Sequence, residues 1–376
     1  MKVLMTADTV GGVWTYAIEL ARALAPHGVE VCLATMGRPT SPAQRQEALK
    51  VPGLEVFEST YKLEWMDEPW RDVHESGRWL LELEHTTAPD IVHLNGYAHG
   101  RLPFRAPTIV VAHSCVVSWW EAVKNEPAPR QYHRYRIEVS AGISAADLVV
   151  APTQAMLSAL LKHYTPPRST LVISNSRDPS LFRAAEKQPY VFSAGRVWDE
   201  AKNIATLDRI ANRLQWTTFV AGDDRHPGGS GTSVQHVQML GQLGPRDVAS
   251  WLAKASIYAL PARYEPFGLS ALEAALSGCA LVLGDIPSLR EVWGPAAVFV
   301  PPDDENALAA AINRLIDQPA LRTQMAAAAQ RRAAHFAPQR QALSYLNAYR
   351  AMIRHQDAVE RGTTEPIAAH HWATEE

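Results

Sequence analysis

The chain has 376 residues, 47% of them apolar by type and 20% charged, with 36 lysines and arginines against 39 aspartates and glutamates. That length suits two domains with separate cores, and the formal charge of -3 lacks the global basic footprint of a nucleic-acid binder. No apolar run reaches the roughly 18 residues of a spanning helix, and the opening MKVLMTADTV leaves no room for a signal peptide, so a cytoplasmic protein is expected.

In chain order, short β-rich apolar runs alternate with Ala- and Leu-rich stretches of helical period, the pattern of βα units around a parallel sheet. Residues 2–5, 30–34, 54–57, 91–94 and 108–112 read as strands, and 14–24 as an amphipathic helix with apolar Tyr16, Ile18, Leu20 and Leu24. Strands at 148–151 and 170–173 continue the series. Near residue 185 the chain passes through the polar stretch RAAEKQP and begins again, with a strand at 190–194, a loop opening at Gly195 and a helix at 204–214. Strands follow at 217–220, 257–260 and 280–283, then a helix at 341–354 and a polar tail expected to be disordered. Two strand, glycine loop, helix openings about 190 residues apart argue for two Rossmann-like domains, at 1–185 and 186–340, with a helix over 341–356 and a tail over 357–376. Cys32, Cys115 and Cys279 are widely spaced in apolar stretches and read as reduced core residues.

The most informative stretch is ARYEPFGLSALEAALSGCALV, residues 262–282. Ser270 and Glu273 match the S-x-x-E capping box, and Gly278 is placed to stop the helix. Glu265 precedes that helix, whose N-terminal amides form a phosphate cradle. A carboxylate there repels a diphosphate, so it should face neutral hydroxyls such as those of a sugar. In SAGRVWDEAKN, residues 193–203, Arg196 and Lys202 leave a strand end and could converge on a diphosphate; a solvated loop with an Asp199 or Glu200 salt bridge is the plainer alternative. In ADTVGGVW, Gly11 and Gly12 either let the backbone approach an anion or simply make a tight turn. His113 follows a strand end, where α/β sheets place their ligands, and is otherwise a core histidine. His93, Asn95 and Tyr97 lie at another strand end.

Taken together, these motifs resemble the retaining glycosyltransferases of family 4, which have the GT-B fold. The family pattern P-S-x-x-E-G-F-G-L-x-x-x-E-A-x-A-x-G stands here as PARYEPFGLSALEAALSG. The resemblance implies an α/β fold of two Rossmann-like domains whose parallel sheets face across a cleft. The first would bind the acceptor and the second the nucleotide sugar, with the C-terminal helix crossing back to the first. It implies Glu265 on the donor sugar's hydroxyls, Glu273 on the ribose, and Arg196 and Lys202 on the leaving diphosphate, although Asn203 stands where the family has glycine. By the same resemblance His113 faces the donor sugar, while Gly12, Phe267, Gly268 and Leu269 line the nucleotide site. VISNSRDPSLF is similar to the family's linker element, with Asn175, Asp178 and Phe182 retained and Ser176 in place of glycine.

The expected activity is metal-independent transfer of a hexose, glucose foremost, from a UDP-sugar, or next a GDP-sugar, to a hydroxyl of a glycan, lipid or small molecule, with no other cofactor. Asn95, Tyr97 and Trp119 are candidate acceptor contacts. RQYHRYR, residues 130–136, interleaves cations with aromatics and permits an anionic-acceptor or inner-membrane-surface patch as readily as a solvated helix face. The acidic pairs Asp223 and Asp224, and Asp303 and Asp304, read as turns, and His370 and His371 in the tail have no metal-ligating partners. A non-catalytic sugar-nucleotide or polysaccharide binder and a sugar-nucleotide epimerase are the rival readings.

Overall fold

The computed structural model describes residues 1–223 and 234–361; Asp224, His370, His371 and the polar tail beyond residue 361 lie outside the described residues. The chain divides into two compact units: Met1–Trp120, Glu126–Asn175 and the chain from Pro338 form one, and Glu121–Asn125 with Ser176–Ala337 form the other.

The first unit is built on seven strands, β1 (Lys2–Asp8), β2 (Glu30–Met36), β3 (Leu54–Glu58), β4 (Ile91–Leu94), β5 (Thr108–Val111), β6 (Leu148–Ala151) and β7 (Thr170–Val172). They lie in the order β3-β2-β1-β4-β5-β6-β7, every pairing parallel. Alternate residues of a strand point to opposite faces, so Val3, Met5 and Ala7 of β1 share one core with Ile18, Leu20 and Leu24 of the Gly12–Leu24 helix. The same core takes Tyr345, Leu346, Tyr349 and Met352 of the C-terminal helix. That helix runs over Pro338–Glu360, so the chain stays ordered past residue 356, where a disordered tail is expected from its polarity. The helix holds because one face carries large apolar side chains every three or four residues, with Tyr345 and Tyr349 completely buried.

Polar atoms of these tyrosines are satisfied through His93, itself 0% exposed on β4. Its Nδ1 is 2.6 Å from the Tyr349 hydroxyl and its Nε2 is 3.3 Å from that of Tyr16, which in turn donates to Tyr345 at 2.6 Å. A neutral imidazole protonated on Nε2 satisfies the whole chain of bonds. His93 is therefore the structural residue that fastens the C-terminal helix to the sheet.

The second unit has six parallel strands: β8 (Gln188–Ala194), β9 (Thr217–Ala221), β10 (Gln238–Gly241), β11 (Ala255–Leu260), β12 (Ala280–Gly284) and β13 (Val298–Val300). Their order is β10-β9-β8-β11-β12-β13. Tyr258 and Leu260 of β11 enter one core with the helices Leu269–Leu276 and Pro319–Ala333, whereas Ile257 and Ala259 enter another with Ile204–Ala211 and Glu305–Asp317. A sheet buried on both faces reads as near-continuous apolar strands, which is why these runs are legible. The Ile204–Ala211 helix ends three residues short of the expected 214, because the Arg213 and Leu214 amides turn back to Ile210 and Ala211. Among the described residues no helix is long and apolar enough to cross a membrane.

Burial holds the pKa of His93 down at about 3 and that of His113 likewise at about 3, against roughly 6.5 in an unfolded chain. The unfolded state thus binds protons that the folded one refuses, so stability is complete above about pH 6.5 and declines as pH falls toward 3. Urea midpoints should be flat between pH 7 and 8.5 and fall below 6.5. His93→Gln should remove up to about 1.4 kcal/mol per pH unit from that slope. Equal slopes in variant and wild type would contradict this.

Candidate active site

The order of the second sheet reverses direction between β8 and β11, and open α/β sheets bind ligands outside the strand carboxyl ends at that reversal. Two loops leave there, residues 195–203 after β8 and 261–268 after β11. The first starts in close contact with its neighbour: Gly195 donates to the Ala221 carbonyl at 3.0 Å, and a Cβ on Gly222 would lie 1.8 Å from the Gly195 carbonyl oxygen. Only glycine fits at 222.

Arg196, half exposed, donates to the buried Asp199 at 2.7 Å, so the local salt bridge anticipated from the sequence is present. Asp199 also accepts the Ala201 amide at 3.1 Å, which folds the loop into a turn and brings Lys202 inward. Asn203 adopts φ +56, the left-handed region that asparagine tolerates better than most residues. This accounts for its standing where the family has glycine. Its side chain does more than a glycine could: Nδ2 donates to the Pro261 and Pro302 carbonyls at 3.0 and 2.7 Å, and Oδ1 accepts from Thr206 at 2.8 Å.

The second loop answers these contacts. The Arg263 amide donates to the Ala201 carbonyl at 2.9 Å, and its guanidinium reaches the Glu200 carbonyl at 3.1 Å and Asp303 at 2.6 Å. Glu265, 9% exposed, forms a short ion pair with Lys202 and accepts the Gly268 amide at 3.1 Å. Lys202 and Glu265, 63 positions apart, are thereby brought together. The Gly268 amide, expected in the phosphate cradle, is taken by Glu265. Leu269, Ser270 and Ala271 form the first turn that follows.

The capping box expected of Ser270 and Glu273 does not form. Gly268, at φ +92, takes the N-cap of the Leu269–Leu276 helix and puts Ser270 inside it. Ser270 Oγ instead receives the Tyr258 hydroxyl at 2.7 Å. Glu273 faces Arg177, whose Nε is 2.8 Å from its Oε1. Burial raises the Glu273 pKa, and the Arg177 charge opposes the rise. At the other end of the helix Gly278, at φ +75, and Cys279 donate to the Ala275 and Ala274 carbonyls at 3.0 Å each. This is the glycine stop expected there. Phe267 is 2% exposed and packs edge-on against Phe336 at 5.3 Å, so its ring belongs to the core.

In the first unit the corresponding reversal falls between β1 and β4. Gly12 opens the helix after β1, but the Val10 and Gly11 amides both donate to Asp8 Oδ1 at 3.0 Å and are not presented to an anion. Asn95 Nδ2 donates to the Thr6 carbonyl at 2.6 Å, which leaves Oδ1 to accept His113 Nε2–H at 2.7 Å. His113 is then a neutral imidazole with Nδ1 as its acceptor, stacked edge-on against Tyr16 at 4.4 Å. Tyr97 is 3% exposed and donates its hydroxyl to Ser114 at 2.8 Å, a core position rather than an acceptor surface. Trp119 packs edge-on against Trp120 at 5.7 Å. Among the described residues no group of three or more His, Cys, Asp or Glu side chains is arranged to hold a metal ion.

Arg177, Arg263 and Asp8 were not legible as site residues. The first two act on partners far along the chain, and an aspartate ending a strand carries no local signal of which amides it will collect.

A family model described as Glycosyltransferase Family 4 matches residues 10–181, and one described as Glycosyl transferases group 1 matches residues 182–332. A D-inositol 3-phosphate glycosyltransferase of Nocardioides sp. is 25% identical over 90% of this chain and 85% of its own length. A glycogen synthase of Mycobacterium tuberculosis is 26% identical over 67% of this chain, which spans 66% of that protein. Among solved structures, a sucrose-phosphate synthase from Thermosynechococcus elongatus superposes with TM-score 0.80 at 21% identity, covering 94% of this chain and 100% of that one. Anabaena Alr3699/HepE in complex with UDP-glucose gives TM-score 0.72 at 18% identity over 93% and 100% of the two chains. These likenesses establish the GT-B fold.

Asn203→Ala should lose both the tolerated left-handed conformation, about 1–2 kcal/mol, and its buried hydrogen bonds, about 1 kcal/mol each. Asn203→Gly keeps the conformation and should be the milder variant. Thermal unfolding of the two variants measures the difference; equal loss in both would refute the conformational part.

Proposed function

The chain belongs to the group 1 glycosyltransferases and has their GT-B fold, and from that premise we propose a retaining, metal-independent hexosyltransferase that uses a UDP-sugar, glucose foremost. The observation that carries this reading is the juxtaposition of Lys202 and Glu265 at the sheet reversal. A cation suited to a diphosphate stands beside a carboxylate suited to sugar hydroxyls, which is the polarity of a sugar nucleotide at its scissile bond. The UDP-glucose complex of the Anabaena neighbour supports the choice of donor.

In the reaction proposed, the bond from the anomeric carbon to the β-phosphate oxygen breaks and a bond to the acceptor oxygen forms on the same face. The acceptor's proton passes to the leaving phosphate, so atoms and charge balance without an enzymic nucleophile. Arg196 and Lys202 stabilise the charge that develops on the diphosphate, as preorganised donors do. Binding requires each to exchange its present carboxylate, Asp199 or Glu265, for phosphate oxygens. Glu265, released from Lys202, accepts hydrogen bonds from the sugar, and Glu273 accepts those of the ribose. His113, neutral at working pH, offers substrate a hydrogen-bonding group rather than a charge. The first unit presents the acceptor hydroxyl of a glycan, lipid or small molecule.

Turnover of radiolabelled UDP-glucose, with hydrolysis as the minimal readout, should survive EDTA. Arg196→Ala should fall by about 10²–10³-fold, as when one preorganised donor is lost. Glu265→Ala should lose transfer but keep UDP affinity, whereas Glu273→Ala should lose UDP affinity. Abolition by EDTA with rescue by Mn²⁺, or an Arg196→Ala enzyme at wild-type rate, would place the leaving-group site elsewhere.

A further inference from the structure

Arg177 is 6% exposed although the residues around it follow a linker pattern. Burying a guanidinium is costly unless an opposite charge stands against it. The adjacent Asp178 is not that charge, since its Oδ1 caps the following turn by accepting the Ser180 amide at 2.8 Å. Glu273 is, at 2.8 Å, with the two side chains 7% and 14% exposed. The guanidinium also lies over the Phe182 ring, 5.0 Å from its centroid, and the Arg177 amide reaches the Phe336 carbonyl at 3.4 Å. Backbone, ring and carboxylate together hold the guanidinium against Glu273.

We propose that Arg177 is a positioning residue for nucleotide binding: it fixes the orientation of the Glu273 carboxylate and keeps it ionised, so that both its oxygens can accept hydrogen bonds from a ribose diol. The proposal rests on the assignment of Glu273 to the ribose. Ionisation matters because a protonated carboxyl turns one oxygen into a donor and spoils a two-acceptor grip. Burial pushes the Glu273 carboxyl up and Arg177 opposes it. The other titratable groups around this helix do not replace it. The Tyr258 hydroxyl on β11, in the field of both Glu265 and Glu273, is bonded to Ser270, and the Lys202 ammonium is engaged by Glu265. Without Arg177 the Glu273 carboxyl would protonate at a pH where it is now charged. Lysine would restore charge but not the planar fork.

The test is calorimetric titration of the full chain with UDP between pH 5.5 and 8.5. Wild type, Arg177→Lys, Arg177→Met, Glu273→Gln and the Arg177→Met/Glu273→Gln double variant are compared. Arg177→Met should bind UDP about tenfold more weakly at pH 8, because Glu273 loses its orientation, and its affinity should fall more steeply with falling pH than that of wild type, whose profile carries the titration of the UDP terminal phosphate alone. Arg177→Lys should be weaker than wild type yet parallel to it across the pH range, and the double variant should match Glu273→Gln at every pH. Wild-type affinity and a wild-type pH profile in Arg177→Met, with Glu273→Gln impaired, would overturn the positioning role and leave the ribose assignment standing. Wild-type UDP affinity in Glu273→Gln would overturn the ribose assignment itself. If Arg177→Met does not fold, Arg177→Lys at wild-type affinity, or a double variant weaker than Glu273→Gln, overturns the proposal.

Discussion

Taking a charge out of water is costly unless an opposite charge or well-placed amides stand against it, and the second unit meets that cost with three ion pairs around its candidate site. Arg196 faces Asp199, Lys202 faces Glu265 and Arg177 faces Glu273. The pairs are graded in burial. Arg196 keeps nearly half its side chain in solvent, Lys202 and Glu265 are mostly covered, and Arg177 is almost sealed. The exposed Arg196 guanidinium can turn toward an incoming anion more readily than the sealed Arg177, while Asp199 keeps the Ala201 amide. The sealed end suits a group that must hold still while a ligand docks. The loops that carry Lys202 and Glu265 are pinned to each other by Asn203 and Arg263. The spacing of the two loops that carry these charges is thus held by hydrogen bonds to their backbones.

How much of this could be read from the sequence depended on how local the cause was. The inner strands of both sheets are buried and their apolar runs are plain, whereas the edge strands Gln238–Gly241 and Val298–Val300 are only partly covered, and the first has just Met239 and Leu240 between Gln238 and Gly241. The stop at Gly278 is legible, since a left-handed glycine after an apolar helix needs only its own neighbourhood. The start of the same helix is not. Ser270 and Glu273 have capping-box spacing, but Gly268 takes the cap two residues earlier, and spacing cannot tell N-cap from second turn position. Glu265, Lys202 and Arg196 are legible as types in a pattern, yet their mutual pairing depends on which strands lie side by side. Arg177 and Arg263 are invisible for that reason, and Phe267 and Tyr97 lie in a binding motif and a strand end while packing as core.

The first unit follows a different logic, in which neutrality is what burial enforces. His93 is closed in by two tyrosine hydroxyls and three tyrosine rings and serves to fasten the last helix to the sheet. His113 is oriented through Asn95, whose amide is itself fixed by Thr6, so the tautomer is set two residues removed from the ring. An imidazole so held contributes a directed acceptor and no charge.

The central claim is that the Lys202–Glu265 pair is the resting form of a site that takes a diphosphate on the lysine and a sugar on the glutamate. A crystal structure of the full chain with UDP-glucose tests it most directly. The account predicts β-phosphate oxygens within hydrogen-bond reach of Arg196 and Lys202, sugar hydroxyls on Glu265 and the ribose diol on Glu273. A donor bound elsewhere, or bound with Lys202 still on Glu265 and no phosphate contact, would contradict it.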